Sequence, residues 1–115
     1  MECWQEARRL MRMIYEITKN RSFSKDYRLR DQIVGAGISI MNNIAEGFDS
    51  QSNIEFIRFL RYSRRSTSEV QNCLYIALDQ TYITEQTLDK IYQQANKTRQ
   101  IIDGLIRYLR KQKRA

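Results

Sequence analysis

Residues 52–79 read SNIEFIRFLRYSRRSTSEVQNCLYIALD and predict a long amphipathic helix. The stretch opens with the S-x-x-E form of a capping box, in which the side chains of Ser52 and Glu55 would each satisfy a backbone N–H at the helix start. Positions three and four residues apart then form one seam: Phe56, Leu60, Ser63, Thr67, Val70, Leu74 and Ala77. An unpaired buried hydroxyl costs about 1–3 kcal/mol, so Ser63 and Thr67 should bond to the preceding turn or across to another helix.

Three further segments carry the same alternation of three and four residues. One helix is predicted over about Glu2 to Asn20, a second from a Ser24 N-cap to Gly47, and a last from a Thr84 N-cap to about Lys111. Their seams are Trp4, Ala7, Met11 and Ile14, widened by Leu10 and Ile17; Val34, Gly37, Met41, Ile44 and Phe48, with Ile33 and Ile40 beside them; and Leu88, Ile91, Ala95, Thr98, Ile102, Leu105 and Leu109. The small residues at 35–37 suggest either the close approach of a neighbouring helix or a kink.

Short connections make consecutive helices antiparallel, which predicts an all-α, up-down-up-down four-helix bundle. The absence of proline and the presence of only four glycines agree with this class, and 115 residues suit a single domain over residues 1–115. Apolar positions also fall outside the seams, namely Phe59, Ile76, Tyr92 and Ile106. One bundle has limited room for them, so some should face another copy of the chain.

The net charge of +7 is unevenly placed along the chain. Residues 1–89 hold twelve basic and twelve acidic residues, whereas residues 90–115 hold eight basic residues against Asp103 alone. This asymmetry favours a polyanionic partner, with RNA or DNA ahead of an acidic membrane surface, although a merely solvated basic helix end is the alternative. The basic end is placed at about residues 107–115.

Two groups of basic residues are the candidate nucleic-acid contacts. The first is Arg58, Arg61, Arg64 and Arg65, with no acid between Glu55 and Glu69 to neutralise it. The second is Arg107, Arg110, Lys111, Lys113 and Arg114. Arginine forks bind phosphate oxygens bidentately, so we expect contacts to the phosphate backbone and recognition of the shape of the nucleic acid, not of a defined sequence. Tyr62, Tyr75 and Tyr108 occur nearby and would either stack on unpaired bases or fill the bundle.

Residues 42–48, NNIAEGF, place Asn42, Asn43 and Glu46 on one helical face. A single carboxylate with two amides lacks a paired acid, a nucleophile or a metal set, so no catalytic residue is predicted. The structural interpretation is a helix-to-helix corner. There Gly47 takes the left-handed conformation that ends the helix, Phe48 folds back on the core, and Asn43 and Glu46 anchor to a facing helix.

Several classes of protein are disfavoured by composition. The chain has no histidine, and Cys3 and Cys73 lack metal-ligand spacing, so no metal, disulfide framework or cofactor is expected. The charged N-terminal stretch does not resemble a secretory signal, and the longest uncharged run is too short to cross a membrane. A cytoplasmic protein without a membrane partner is therefore expected.

Five stretches together resemble the bacterial four-helix-bundle proteins, also called ribosomal-RNA intervening-sequence proteins. They are Cys3–Ala7 (CWQEA), Ser39–Phe48 (SIMNNIAEGF), Glu55–Leu60 (EFIRFL), Ser66–Val70 (STSEV) and Tyr82–Ile83 (YI). The resemblance covers about residues 3–109. Members often have proline at the position of Met41, and Arg64 and Arg65 stand where small or apolar residues are common, which strengthens the polyanion hypothesis for this chain.

The resemblance implies a bundle that assembles as a ring-like homopentamer, with no enzymatic activity known for the family. It also implies a more distant similarity to the accessory variability determinant of diversity-generating retroelements, a basic pentameric bundle that binds nucleic acid and a reverse transcriptase. Two hypotheses follow. The first is a non-catalytic oligomer that binds nucleic acid, and the second is a protein–protein adaptor for a partner such as a reverse transcriptase.

Overall fold

The computed structural model describes residues 1–112 and is all-helical over that range, with no β-strand. Four long helices and one short one follow in chain order: α1 (Glu2–Thr18), α2 (Arg21–Lys25), α3 (Tyr27–Asp49), α4 (Asn53–Asp79) and α5 (Glu85–Lys111). At about 1.5 Å per residue, the 27 residues of α4 and of α5 each span roughly 40 Å. In the described part of the chain, no helix is long and apolar enough to span a bilayer.

The four long helices form an elongated helical bundle of 49 × 23 × 18 Å. Helix α1 packs against α3 and α5, and α4 packs against the same two helices. Hydrogen bonds and ion pairs show the register of α4 against α5, since Arg64 pairs with Asp103 and Gln71 pairs with Asn96. Residue numbers rise on one helix as they fall on the other, so this pair is antiparallel.

The predicted seam of α4 is buried as expected from Leu60 to Ala77. The two polar side chains of this seam, Ser63 and Thr67, form hydrogen bonds in the two ways predicted, across to another helix and back to the preceding turn. The Ser63 hydroxyl donates to the Ile40 carbonyl of α3 at 2.8 Å, and the Thr67 hydroxyl donates to the Arg64 carbonyl one turn earlier at 2.6 Å. These bonds let small side chains line the middle of the bundle without an unpaired polar group.

The seam predicted for α3 is confirmed at Gly37 and Ile44 and is wrong at Val34, Met41 and Phe48, because the helix is rotated so that the side of Ile33 and Ile40 faces the core. The buried positions are Ile33, Ala36, Gly37, Ile40, Ile44 and Gly47, whereas Phe48 is 62% exposed. Because α3 is apolar around more than half of its circumference, its period alone does not determine which stripe faces the core. Val34, Ile38, Met41, Ala45 and Phe48 are therefore left half-buried or exposed, and we call them the outer α3 stripe.

Gly37 lies where α1 and α3 approach closely, as one of the two interpretations predicted. A Cβ built there would lie 2.6 Å from the Met11 sulfur and 3.0 Å from Ile14 Cδ1. The missing side chain therefore permits the contact between the two helices.

The predicted start of the second helix at Ser24 is also wrong. Asn20 caps the short helix α2, and the Asp26 carboxylate caps α3 by accepting from the Leu29 N–H at 3.1 Å. The Ser24 hydroxyl instead donates to the Arg21 carbonyl. Phe23 is fully buried between these caps, and its burial explains why the chain inserts a separate short turn here.

Gly47 does not end α3, contrary to the prediction. No glycine in the described chain has a positive φ, and the left-handed residue of the corner is Gln51, with φ of 59°. Helix α3 continues to Asp49. Gly47 is instead required by packing, because a Cβ there would lie 2.7 Å from Phe56 Cδ1 and 3.0 Å from Phe59 Cβ.

Candidate nucleic-acid interface

Four arginines meet in a cleft of about 380 Å³ between α4 and α5, lined by Arg61, Arg64, Arg65, Ser68 and Arg99. Three of the predicted contacts are thus brought together, and we call this group the arginine cleft. Arg61 lies three and four residues before Arg64 and Arg65, and Ser68 lies four and three residues after them, so the four side chains project from one side of α4. The antiparallel register of α5 then sets Arg99 opposite them.

Arg99 is held in place by buried polar side chains. Its Nε donates to the Thr67 hydroxyl at 3.2 Å, and its Nη2 donates to the amide oxygen of Gln71. Gln71 is 5% exposed, and its own amide nitrogen donates to Asn96 Oδ1 at 2.8 Å. All of these partners are neutral, so they restrain the orientation of the guanidinium group without offsetting its positive charge.

Acidic side chains neutralise two of the predicted arginines, which corrects the expectation that the group is uncompensated. Arg64 Nε lies 2.8 Å from the Asp103 carboxylate, and Arg58 Nη2 lies 2.6 Å from that of Glu55. The hydrogen bond that Arg58 donates to Glu55 also raises the pKa of Arg58. The sequence did not indicate these two pairs, because Asp103 lies on a different helix and Glu55 was predicted to bond to a backbone N–H at the helix start.

The capping box is therefore only half formed. The Ser52 hydroxyl accepts from the Glu55 N–H at 3.3 Å, as predicted. The Glu55 carboxylate bonds to Arg58, and the Ser52 N–H donates to the Ser50 hydroxyl at 3.4 Å. A fully charged arginine one turn away is a stronger partner for a carboxylate than a backbone N–H.

The remaining basic candidates lie outside the arginine cleft. Arg58 is exposed and its guanidinium lies over the rings of Phe59 and Tyr62, at 4.7 and 5.6 Å from their centroids. Arg107, Arg110 and Lys111 are exposed on the last two turns of α5. Lys113 and Arg114 lie outside the described residues.

Arg99 is the cleft residue that sequence reasoning missed. It was counted only within the basic C-terminal charge, because its pairing with α4 depends on the register between two helices. A signal was present in the sequence, however: Arg99 lies four residues before Asp103, so both project from the same side of α5.

The three tyrosines considered as stacking residues have different surroundings. Tyr62 is half-buried, and the guanidinium groups of Arg58 and Arg65 lie within 5.6 Å of its ring centroid. Tyr75 is 50% exposed and packs edge to face with Tyr92, with ring centroids 5.7 Å apart. Tyr108 is 60% exposed on α5.

The amides and carboxylate of the NNIAEGF stretch do not reach a facing helix. The Asn43 side-chain amide donates to the carbonyl of Ser39, one turn earlier, at 2.9 Å and to its hydroxyl at 3.1 Å. Asn42 and Glu46 are exposed, and Glu46 makes no hydrogen bond or ion pair with residues 1–112. The expected anchoring of Asn43 and Glu46 across helices is therefore wrong within the described protomer.

Comparison with known proteins gives one family and one fold. Residues 1–104 match the family described as 23S rRNA-intervening sequence protein. A crystal structure of a protein of unknown function from the S23 ribosomal protein family of Bacteroides thetaiotaomicron is similar, with a TM-score of 0.81 and 22% identity. The similarity covers 90% of this chain and 97% of that one, and at this identity it concerns the fold alone. No curated protein matches the chain.

Proposed function

The chain belongs to the 23S rRNA-intervening sequence protein family, and from this membership and the arginine cleft we propose that it is a non-catalytic protein that binds nucleic acid, RNA or DNA, mainly by phosphate contacts. The family description refers to 23S rRNA, so RNA is the first polyanion to test.

The arginine cleft is the observation that carries this proposal. Four guanidinium groups line it, and the only carboxylate paired with any of them among the described residues is that of Asp103. Guanidinium forks bind phosphate oxygens in pairs, and Arg99 is already oriented by Thr67 and Gln71. Arg58 and the basic residues of the C-terminal end would add longer-range attraction and further phosphate contacts.

Filter binding of a structured RNA across a salt series tests the proposal. A protein that neutralises several phosphates releases as many counterions, so the affinity should fall steeply and log-linearly as salt rises. Binding that does not depend on salt, or no binding even at low salt, would contradict a phosphate-based interface.

We also propose that the four long helices are an up-down-up-down four-helix bundle whose protomers assemble into a ring-like homo-oligomer, a pentamer by family resemblance. The outer α3 stripe supports self-association, because Ile38 is 41% exposed and Phe48 is 62% exposed on the same side of one helix. Repetition of the arginine cleft around a ring would raise affinity through avidity.

The molar mass in solution tests this assembly. The wild-type protein should be oligomeric at micromolar concentration, and Ile38→Glu should dissociate it without unfolding, because the side chain is exposed within the protomer. A wild-type monomer at that concentration would eliminate the ring and its avidity.

The outer α3 stripe also favours a second candidate function, a protein–protein adaptor for a nucleic-acid-handling protein such as a reverse transcriptase. An adaptor should retain one stoichiometric protein partner after nuclease treatment. If partners are lost with the nucleic acid, the adaptor hypothesis fails.

A further inference from the structure

An aromatic pair, with one ring exposed and one half-buried, lies on the boundary between α4 and α5 that also contains the arginine cleft, and we call the surface along this boundary the groove. Tyr75 on α4 and Tyr92 on α5 meet edge to face, at 5.7 Å between centroids and 69° between ring planes. Tyr75 is 50% exposed although it contacts a ring of the neighbouring helix. An exposed ring that is braced against a second ring offers a surface for another flat group.

Helical spacing puts this pair on the same side as the arginines. Tyr75 follows Ser68 by seven residues, and Ser68 follows Arg61 by seven, so the three project in nearly one direction. Arg99 likewise follows Tyr92 by seven residues on α5. Gln71 joins the two regions, because its amide nitrogen donates to the Tyr92 carbonyl at 3.3 Å while its amide oxygen holds Arg99.

The distance along the groove suits a short run of nucleotides. Tyr75 lies fourteen positions after Arg61, which is a rise of about 21 Å along α4 at roughly 1.5 Å per residue. That length corresponds to about six nucleotides at the ~3.4 Å spacing of stacked bases. The arginines would therefore hold phosphates while a base of the same strand reaches the tyrosines.

The other tyrosines considered do not have this placement. Tyr62 is half-buried, with two guanidinium groups against its ring. Tyr108 follows Arg99 by nine residues, which turns it to the opposite side of α5 at about 100° per residue.

We propose that the groove between α4 and α5 binds a single-stranded segment of RNA, with its phosphates in the arginine cleft and an unpaired base stacked on the Tyr75–Tyr92 pair. The inference rests on the proposed function. Bases within a duplex are stacked on one another and have no free face, whereas single strands bind readily to aromatic side chains next to basic grooves.

Three RNA probes of equal length separate the two kinds of contact: an unstructured single strand, the same strand with abasic sites, and a duplex. Wild-type protein should bind the single strand more tightly than the other two probes at one fixed salt concentration. Tyr75→Ala should weaken single-strand binding by about 5- to 100-fold, the range that one stacked base supplies, and should leave abasic binding unchanged. Tyr75→Phe keeps the ring and should bind like the wild type.

Tyr15→Ala is the matched control, because Tyr15 is 48% exposed on α1, away from the groove. Thermal unfolding of each variant verifies its folding. If all three probes bind equally and Tyr75→Ala changes none of them, the stacking inference is overturned while phosphate-based binding stands. If no probe binds at low salt, both the inference and the proposed function fail.

Discussion

Substitution of Gly47 by alanine tests the packing of the corner between α3 and α4. The new Cβ would lie 2.7 Å from Phe56 Cδ1, 3.0 Å from Phe59 Cβ and 3.3 Å from Phe56 Cα. Phe59 Cβ is the first carbon of its side chain and Phe56 Cα is a backbone atom, so neither can move without shifting α4. The methyl group therefore forces the two helices apart.

Two opposing effects determine the size of the change. Overpacking of this kind costs about 1–3 kcal/mol, while alanine in place of glycine within a helix stabilises it by roughly 0.5–1 kcal/mol. The two ranges combine to a net loss of about 0–2.5 kcal/mol in the free energy of unfolding, centred on roughly 1 kcal/mol. At about 4 °C per kcal/mol for a domain of this size, Tm should fall by roughly 4 °C and by no more than about 10 °C.

Gly35→Ala is the matched control, because it lies in the same helix and a Cβ there meets no atom within 4 Å. It should gain about 0.5–1 kcal/mol from helix propensity alone. Urea unfolding of both variants, at one fixed protein concentration, gives the comparison. If Gly47→Ala is as stabilising as Gly35→Ala, close packing at Gly47 is refuted.

Three other predictions concern single side chains. Glu6 is buried, and its hydrogen bond from Gln94 lowers the pKa of the carboxyl below its ordinary value, so the ionised form stabilises the folded state at pH values above the unfolded-state pKa. Glu6→Gln should therefore lose about 1 kcal/mol at pH 7 by urea unfolding, and the difference should shrink as the pH falls through the folded-state pKa; a loss that stays the same over the whole acid titration would contradict this. Glu46→Ala should change the free energy of urea unfolding by less than about 0.5 kcal/mol, because Glu46 has no partner within the described protomer; a larger loss that depends on protein concentration would indicate a contact with another protomer. Asp26→Ala should cost about 1–2 kcal/mol in thermal unfolding, because it removes both the N-cap of α3 and the acceptor of the Tyr82 hydroxyl. Asp26→Asn should cost less, because asparagine can still cap the helix. Equal losses in the two variants would exclude the cap as the cause.

The helical class and the seam of α4 could be predicted because both depend on local spacing. The alternation from Leu60 to Ala77 has only one apolar stripe, so its period determines the buried face. Helix α3 has two apolar stripes, and only packing against α1 and α4 decides that Ile40 is buried and Phe48 is exposed. Amphipathicity predicts the orientation of a helix only when one of its faces is polar.

The arginine cleft was partly predictable, because three of its arginines are brought together by their spacing within one helix. The spacing of Arg61, Arg64 and Arg65 within one helix placed them together, whereas Arg99 and Asp103 join them through the register between α4 and α5. Gly47 was misinterpreted because a glycine near a helix end suggests a left-handed cap, and the close approach of Phe56 is visible only in three dimensions.

The salt dependence of RNA binding by two charge-matched double variants tests the central claim most directly. Arg61→Gln/Arg65→Gln removes two exposed arginines of the cleft, and Arg12→Gln/Arg21→Gln removes two exposed arginines elsewhere. The cleft variant should bind more weakly at low salt, with a slope of log affinity against log salt that is smaller by about 2, because each arginine that no longer neutralises a phosphate lowers the slope by about 1. The control should keep the wild-type slope. Equal reductions of affinity and slope in both variants would contradict a role for the arginine cleft and would attribute RNA binding to the net charge of the protein alone.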